Sequence, residues 1–462
     1  MKLYERGSLK RVLGLLAALL ILVLFYMGRP EPLIIPAQTD PQTLYHTAWR
    51  VVGETFYDRG KLEDWQSWEH RYDGKLHSQQ DAEKAIDEML KSLDDPFTYF
   101  LGARATAAEI DQRRGSFVGI GITLGVKLDT QGQPVTDASG QVFPAVSADG
   151  YPLVKGVIEG GPAADAGLKA GDEIVAVFEV QSGKLVPLDT RAMTLATLTG
   201  KIRGPAGSSV QLIVRREGKA INLTIVRAAV QIRSLTYKRL EGNLGYIKIE
   251  HFGADNMVPQ LVEAVRALKD ARGLVVDLRN NPGGQVPNAI WGAAVFLERG
   301  HVTTMKSRES GRLVESQISL TPDKLVVVGL EGTESELMKA RRDVRQQTKL
   351  PLVILVNEHS ASASEMFAGA LQDNGRAVVV GVKTFGKGIG QSLLPMPNGT
   401  TLHVTTLRYY TPKMRWVGDA SGGLFSNGII PDVVVPADKA ADGDNQLRAA
   451  QERLETLIST GR

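Results

Sequence analysis

The 462-residue chain contains no cysteine, which excludes disulfides, a thiol nucleophile and cysteine-ligated zinc. Histidine is scarce, with 7 residues, and none stands in the His-Glu-x-x-His spacing of a zinc peptidase. No serine lies in a Gly-x-Ser-x-Gly elbow either. Neither charge dominates: 54 Lys and Arg face 51 Asp and Glu, for a net charge of +3, so no broad basic surface is implied and nucleic acid is not an expected partner. No metal or cofactor is expected. One uncharged apolar run stands out, Val12 to Met27, preceded by Lys2, Arg6, Lys10 and Arg11. That basic flank orients the N-terminus to the cytoplasm and the remainder outside it. The run is short for a spanning helix and long for a signal segment. Tyr26-Met27-Gly28-Arg29-Pro30 offers no clear cleavage site, so an uncleaved membrane anchor is expected, with the Pro-rich Arg29 to Pro36 as a stiff spacer.

What the chain does contain is a serine cluster, Ser360-Ala361-Ser362-Ala363-Ser364-Glu365, placed between the apolar run Leu352 to Val356 and a helical pattern from Glu365 to Leu371. A serine between strand and helix lies beside N–H groups that the helix leaves unpaired, where a developing oxyanion is stabilised. Taken singly, these serines are ordinary N-cap candidates. Further along, Lys387 sits between Gly386 and Gly388, after a second expected strand, Ala377 to Gly381. Glycines let this backbone pass close to another segment. Lysine serves as a base only when neutral, which requires a pKa brought down to roughly 7–8 by burial and neighbours. A third element, Gly273 to Asp277, runs into Leu278-Arg279-Asn280-Asn281-Pro282-Gly283-Gly284. Gly283 or Gly284 could donate an N–H to an oxyanion alongside Ala363. Glu365, in the first turn of its helix, is explained by the helix dipole and is assigned no chemistry.

These blocks resemble the C-terminal processing peptidases, or tail-specific proteases, serine enzymes with a Ser–Lys dyad. The resemblance also takes in Ser92 to Thr98, Tyr409-Tyr410-Thr411-Pro412 and Gly428-Ile429-Ile430-Pro431-Asp432, and so spans roughly residues 40 to 436. It implies Ser362 as nucleophile, Lys387 as general base and Gln391 as the residue that orients the lysine. Gly390 departs from the β-branched residue usual in the family, and a looser backbone is expected there. Asp373 reads either as a surface ion pair with Arg376 or, by the resemblance, as a supporting residue of the active region. The rival mechanism, a Ser–His–Asp triad, would draw on His359, three residues before Ser362.

A second region resembles a PDZ domain of the bacterial protease kind. It opens on Gly115 to Ile122, carries Gly160 to Ile174 in its middle and closes on Lys201 to Val214. The N–H groups of Gly119, Ile120, Gly121 and Ile122 are expected to hold a peptide's terminal carboxylate while a strand edge pairs with its last residues. Arg203 reads as a contact between this domain and the protease core, or as a solvent-facing turn residue. Lys127 to Pro152 reads as an inserted hairpin or loop.

The fold expected is multidomain α+β. Its parts are an anchor and spacer (1–36), a helical N-terminal region (37–112), a PDZ-type β-rich domain (113–232), an α/β protease core of crotonase-like kind (233–436) and a C-terminal helical tail (437–462). A capping box, Thr333 to Glu336, is expected to open a helix through Gln347. The function expected is a serine endopeptidase of the bacterial inner membrane, its catalytic part in the periplasm, acting on proteins with free C-termini. The resemblance allows a homodimer through the N-terminal region and a separate adaptor protein. The alternatives are a catalytically silent PDZ-bearing scaffold and a chaperone.

Overall fold

A computed structural model describes residues 39–113, 116–127, 129, 135–137, 141–181, 183–231, 233–309, 312–322, 325–329, 334–335, 344, 347–418, 427–438 and 443–461. The expected anchor, the spacer and Gly115 lie outside them. Among the described residues no helix is long and apolar enough to cross a membrane. The chain divides into two compact units, one formed by residues 1–110 with 233–462 and the other by residues 111–232.

The first unit is built on two sheets. One has six strands in the order Leu235–Leu240, Leu244–Ile249, Leu274–Asp277, Leu352–Val356, Val378–Gly381 and Val433–Val434. Its first pair is antiparallel and the rest are parallel. Every residue of Leu274–Asp277 and Leu352–Val356 is buried. That is why these strands appear in the sequence as unbroken apolar runs: a parallel strand is covered on both faces. One face carries the helices Met257–Ala267, Val286–Ala294 and Ala363–Asp373, which share a core with Ile247, Val276 and Ile354. Against the other packs the C-terminal helix Asn445–Thr460, through Ala450, Leu454 and Leu457 on Val275, Val353 and Leu355. The expected C-terminal helical tail thus closes the sheet. Its N-cap Asp444 accepts from Leu447 N at 3.0 Å and from both terminal nitrogens of Arg279.

The second sheet has seven strands. Its long strand Thr400–Tyr410 pairs with Ile389–Met396, Gly300–Glu309 and Tyr99–Leu101. The N-terminal helices Pro41–Thr55 and Gln79–Lys91 pack around Trp65 and Trp68, in one core with Leu402 and Val404 of that strand. Trp49 and Trp65 each donate an indole N–H to the other's carbonyl at 3.0 Å. The helical N-terminal region therefore shares a core with this sheet. The helix expected to open after Thr333 does not begin there: Glu334–Ser335 is a short strand paired with Val327 and Val328. Pairing to a sheet edge has overridden a local capping signal, and most of that expected helix lies outside the described residues.

The second unit contains a four-stranded antiparallel sheet, ordered Lys184–Asp189, Glu173–Gln181, Ser209–Arg216 and Lys219–Val226. Two strand pairs accompany it, Ser116–Gly119 with Ala228–Gln231 and Ile122–Leu124 with Val154–Val157. Helix Leu195–Ile202 packs Leu198 and Ile202 into a core with Ile120, Ile174, Val177 and Leu212. In the inserted stretch the described residues form isolated antiparallel bridges, Val126 with Pro144 and Thr136 with Val142.

Candidate active site

The serine cluster bends sharply between strand Leu352–Val356 and helix Ala363–Asp373, and its three serines have different environments. Ser360 and Ser364 have no exposure to solvent. The Ser360 hydroxyl donates to Leu278 O at 2.8 Å and accepts from Asn357 N at 3.0 Å, and that of Ser364 donates to Asn281 O at 3.0 Å. Both therefore serve to hold the turn. Ser362 alone is half-exposed, with φ 57° and ψ −116° at the N-cap of the helix. A positive φ at a non-glycine residue costs about 1–3 kcal/mol, and such strain concentrates at functional positions.

Two buried groups support the turn. Asn281 accepts Ala361 N on its carbonyl at 3.0 Å, while its side chain donates to Ile249 O at 2.8 Å and accepts Gly283 N at 2.9 Å. Gly283 packs so closely that a Cβ would stand 2.6 Å from Ala361 O, 2.8 Å from Ser362 Cβ and 2.9 Å from Ala363 N. Of the two glycines considered for an oxyanion, Gly283 already spends its N–H on Asn281. The bridge between Phe252 and Gly284 uses the Gly283 carbonyl and the Gln285 N–H, which leaves the Gly284 N–H outside it. Ala363 occupies the first helical position, where an N–H has no partner within the helix.

Lys387 lies in the loop between strands Val378–Gly381 and Ile389–Met396. Its ammonium donates to Gln391 Oε1 at 3.0 Å and stands 4.3 Å from the centre of the Phe97 ring. Gln391 in turn donates to Phe97 O at 2.8 Å. Burial pushes the Lys387 pKa down from the ordinary lysine value, against the opposing charges of Asp95 and Glu365. The pairing with strand Thr400–Tyr410 shifts register between Gly390 and Gln391, so the ladder is irregular where Gly390 stands. Gly390 is a buried strand residue, and a Cβ there would meet Leu407 Cδ1 at 2.7 Å, so the departure from a β-branched residue matches a leucine across the sheet.

Sequence reasoning counted Ser92 to Thr98 in the resemblance but gave this loop before strand Tyr99–Leu101 no role, and it missed the role of Glu365. Asp95 accepts from Phe97 N and the Thr98 hydroxyl, and the Thr98 hydroxyl accepts Thr405 N. This network sets the Phe97 ring beside the lysine. Glu365 has no exposure to solvent. Its Oε1 accepts the Thr384 hydroxyl at 2.6 Å and Gly386 N at 2.7 Å, and its Oε2 accepts Ser362 N and Lys387 N, each at 2.8 Å. Burial raises its pKa and these four donors oppose the rise. The Ser-x-x-Glu spacing is the signal that could have found it, since a glutamate at the third helical position reaches back to the cap N–H.

Asp373 forms no pair with Arg376. Its side chain is 2% exposed, bonds Arg415 at 2.5 Å and accepts Lys413 N at 3.0 Å, while Arg376 donates to the carbonyls of Phe296, Thr348 and Leu350. It fixes the segment carrying Trp416, whose indole donates to Gly388 O at 2.9 Å. His359 is exposed and its ring lies 3.8 Å from Glu358, an arrangement that does not aim it at Ser362. In the second unit Gly119 ends its strand, Ile120 is buried and its carbonyl accepts Ala163 N at 2.8 Å. Gly121 has φ 80° and its carbonyl accepts Ile158 N at 2.9 Å; Ile122 begins the next strand. Arg203 is exposed, with its guanidinium 5.9 Å from the Phe117 ring centre. Among the described residues no cluster of His, Asp and Glu is suited to hold a metal.

A half-exposed hydroxyl on a strained strand-to-helix turn, tied through Glu365 to the backbone of a part-buried lysine, is suited to acyl transfer. Residues 243–435 match Peptidase family S41. Over 456 residues the chain is 31% identical to the carboxyl-terminal-processing protease of Picosynechococcus sp., covering 96% of this chain and 95% of that one. To the protein of the same name in Synechocystis sp. it is 30% identical over 461 residues, covering 96% and 93%. Among solved structures it is similar to the photosystem II D1 C-terminal processing protease, at 27% identity and a TM-score of 0.49, covering 86% of this chain and 94% of that chain. The chain belongs to peptidase family S41, a family of serine-type peptidases.

The tight seat of Gly283 generates a prediction. The atoms a Cβ would strike include backbone, which cannot swing aside as a side chain does, so Gly283→Ala displaces residues 361–363. Reaction of Ser362 with an active-site serine reagent should fall on the order of 10- to 100-fold, with a stability loss of about 1–3 kcal/mol. Labelling at the wild-type rate in a folded variant would show that the close approach is dispensable.

Proposed function

We propose that this protein is a C-terminal processing endopeptidase in which Ser362 and Lys387 form the catalytic dyad. The observation that carries this reading is the part-buried Lys387 ammonium, held by Gln391 and the Phe97 ring, in a loop whose backbone shares a carboxylate oxygen with Ser362, the single half-exposed serine of the cluster. Neutral Lys387 accepts the hydroxyl proton as Ser362 Oγ attacks the scissile carbonyl, and the N–H groups of Ala363 and Gly284 receive the oxyanion. Collapse of the intermediate passes the proton to the leaving amine and leaves an acyl-enzyme. Water, deprotonated by the same lysine, then hydrolyses the ester. Gln391 keeps the lysine directed at the serine, and Asp373 supports the segment beside it.

Residues 113–232 act as a PDZ domain, preceded by the helical region 37–112 and followed by the core 233–436, which is crotonase-like, and the tail 437–462. The loop Gly119 to Ile122 holds the substrate's terminal carboxylate, and the edge of strand Ile122–Leu124 pairs with its last residues; among the described residues that strand pairs only with Val154–Val157. Residues 1–36 anchor the enzyme in the bacterial inner membrane and present the catalytic part to the periplasm. The peptide-bound PDZ domain favours the active state, so a terminal peptide acts as an activator.

Ser362→Ala, Lys387→Ala and Lys387→Arg should each abolish peptide hydrolysis in a folded protein, because nucleophile and base act as one unit and arginine does not give up its proton. Ser360→Ala and Ser364→Ala, which remove bonds within the turn, should lower stability by about 1–3 kcal/mol and keep measurable turnover. Substantial activity in Lys387→Arg would sink the dyad.

A substrate whose C-terminal carboxylate is amidated should be cut more slowly than its free-acid twin, since the charged group makes the stronger hydrogen bonds. Equal kcat/KM for the two peptides would remove the carboxylate from recognition.

A further inference from the structure

The Ser362 and Lys387 backbones are tied together twice. On the N–H side one atom serves both: Glu365 Oε2 accepts Ser362 N at 2.8 Å and Lys387 N at 2.8 Å. On the carbonyl side the Tyr409 hydroxyl serves both, donating to Ser362 O at 3.0 Å and to Lys387 O in a short contact. A phenol has one proton, so these two carbonyls share it. Tyr409 is 1% exposed and Glu365 fully buried, so solvent does not compete for either group.

We propose that Glu365 and Tyr409 are positioning residues that clamp the peptide backbones of Ser362 and Lys387 to each other and so fix the direction from which the amine meets the hydroxyl. The proposal rests on the dyad reading. A helix cap alone does not account for the arrangement: capping requires the Ser362 N–H, yet three of the four donors to Glu365 come from the lysine loop, namely Thr384, Gly386 and Lys387. Nor does burial for packing account for it, because a buried carboxylate is costly to desolvate and an apolar side chain would fill the space without that penalty. Tyr409 adds a second tie to the same loop, as its own N–H donates to Gly388 O at 3.1 Å. Glutamine cannot replace the glutamate. It offers one acceptor oxygen, and its amide NH2 would face either the Ser362 and Lys387 N–H groups or the Thr384 hydroxyl and the Gly386 N–H.

The two clamp residues also differ in charge, which separates their effects. The charges that face Lys387 are Asp95, from the loop before strand Tyr99–Leu101, and Glu365; both hold its pKa up against burial. Tyr409 faces Glu365, and burial holds its phenol protonated well above the ordinary tyrosine range. Removing the Glu365 charge therefore lowers the pH at which Lys387 becomes neutral, and removing the Tyr409 hydroxyl leaves it in place.

The test uses Glu365→Gln and Tyr409→Phe in the full chain, with Ser362→Ala and Lys387→Ala as references and with melting curves and near-ultraviolet circular dichroism to establish folding. In both variants kcat on a short peptide should drop on the order of 10- to 100-fold, with KM within about twofold of wild type. The acid limb of the kcat–pH profile should move to lower pH in Glu365→Gln and stay in Tyr409→Phe. Wild-type kcat in either folded variant, or an unmoved limb in Glu365→Gln, would overturn the clamp while inactive Ser362→Ala and Lys387→Ala leave the dyad standing. Activity in those two references would instead overturn the dyad. Should Glu365→Gln fail to fold, Tyr409→Phe, which keeps the ring and its packing, decides the matter through kcat.

Discussion

A carboxylate with no access to water sits where the two chemically important segments meet, and the local structure is arranged around satisfying it. Glu365 takes two donors on each oxygen. Burying an ionisable carboxyl without partners would cost several kcal/mol, so each donor that approaches it is held firmly. The Thr384 hydroxyl, one of those donors, also accepts Ile429 N at 2.6 Å, which brings the Gly428-to-Asp432 block into the same network. Asp432 in turn accepts Val379 N at 2.8 Å. The charge at the helix N-terminus thus organises a strand-to-helix turn, a glycine-flanked loop and an edge strand.

The parallel sheet supplies the rigid base for this junction. Strands Leu274–Asp277 and Leu352–Val356 lie side by side, and their following turns are locked by reciprocal contacts: Asn280 N donates to Asn357 Oδ1 at 2.9 Å and Asn357 Nδ2 to Asn280 Oδ1 at 2.9 Å. The site therefore lies at the carboxyl ends of parallel strands, where backbone N–H groups and helix starts converge. The strained Ser362 is tolerated because buried neighbours on both sides over-determine its conformation.

Much of this was legible in the chain. Unbroken apolar runs located the buried strands, and helical spacing located Ala363–Asp373 and the C-terminal helix. Choosing Ser362 over Ser360 and Ser364 depended on the family resemblance, because three serines at alternate positions look alike until burial distinguishes them. The contacts of Phe97 were not legible: they join residues separated by 294 positions, and no local pattern reports such a pairing. Glu365 misled for the opposite reason. A glutamate in a first helical turn has a sufficient local explanation, and only tertiary packing turns it from a dipole partner into the centre of a network. Gly390 shows the same limit, since its small size answers to Leu407 on the adjoining strand, and Glu334 and Ser335 show a cap signal losing to strand pairing.

The central claim is that Lys387, its pKa lowered by burial and its backbone held in one frame with that of Ser362, activates the hydroxyl. The rate at which an active-site serine reagent acylates Ser362, followed against pH, tests it most directly. The account predicts a rate that climbs through a single limb with its midpoint below the ordinary lysine value of 10.5, because burial favours the neutral amine, and loss of that limb in Lys387→Ala. A limb that persists in Lys387→Ala and disappears in a histidine variant such as His359→Ala would contradict it.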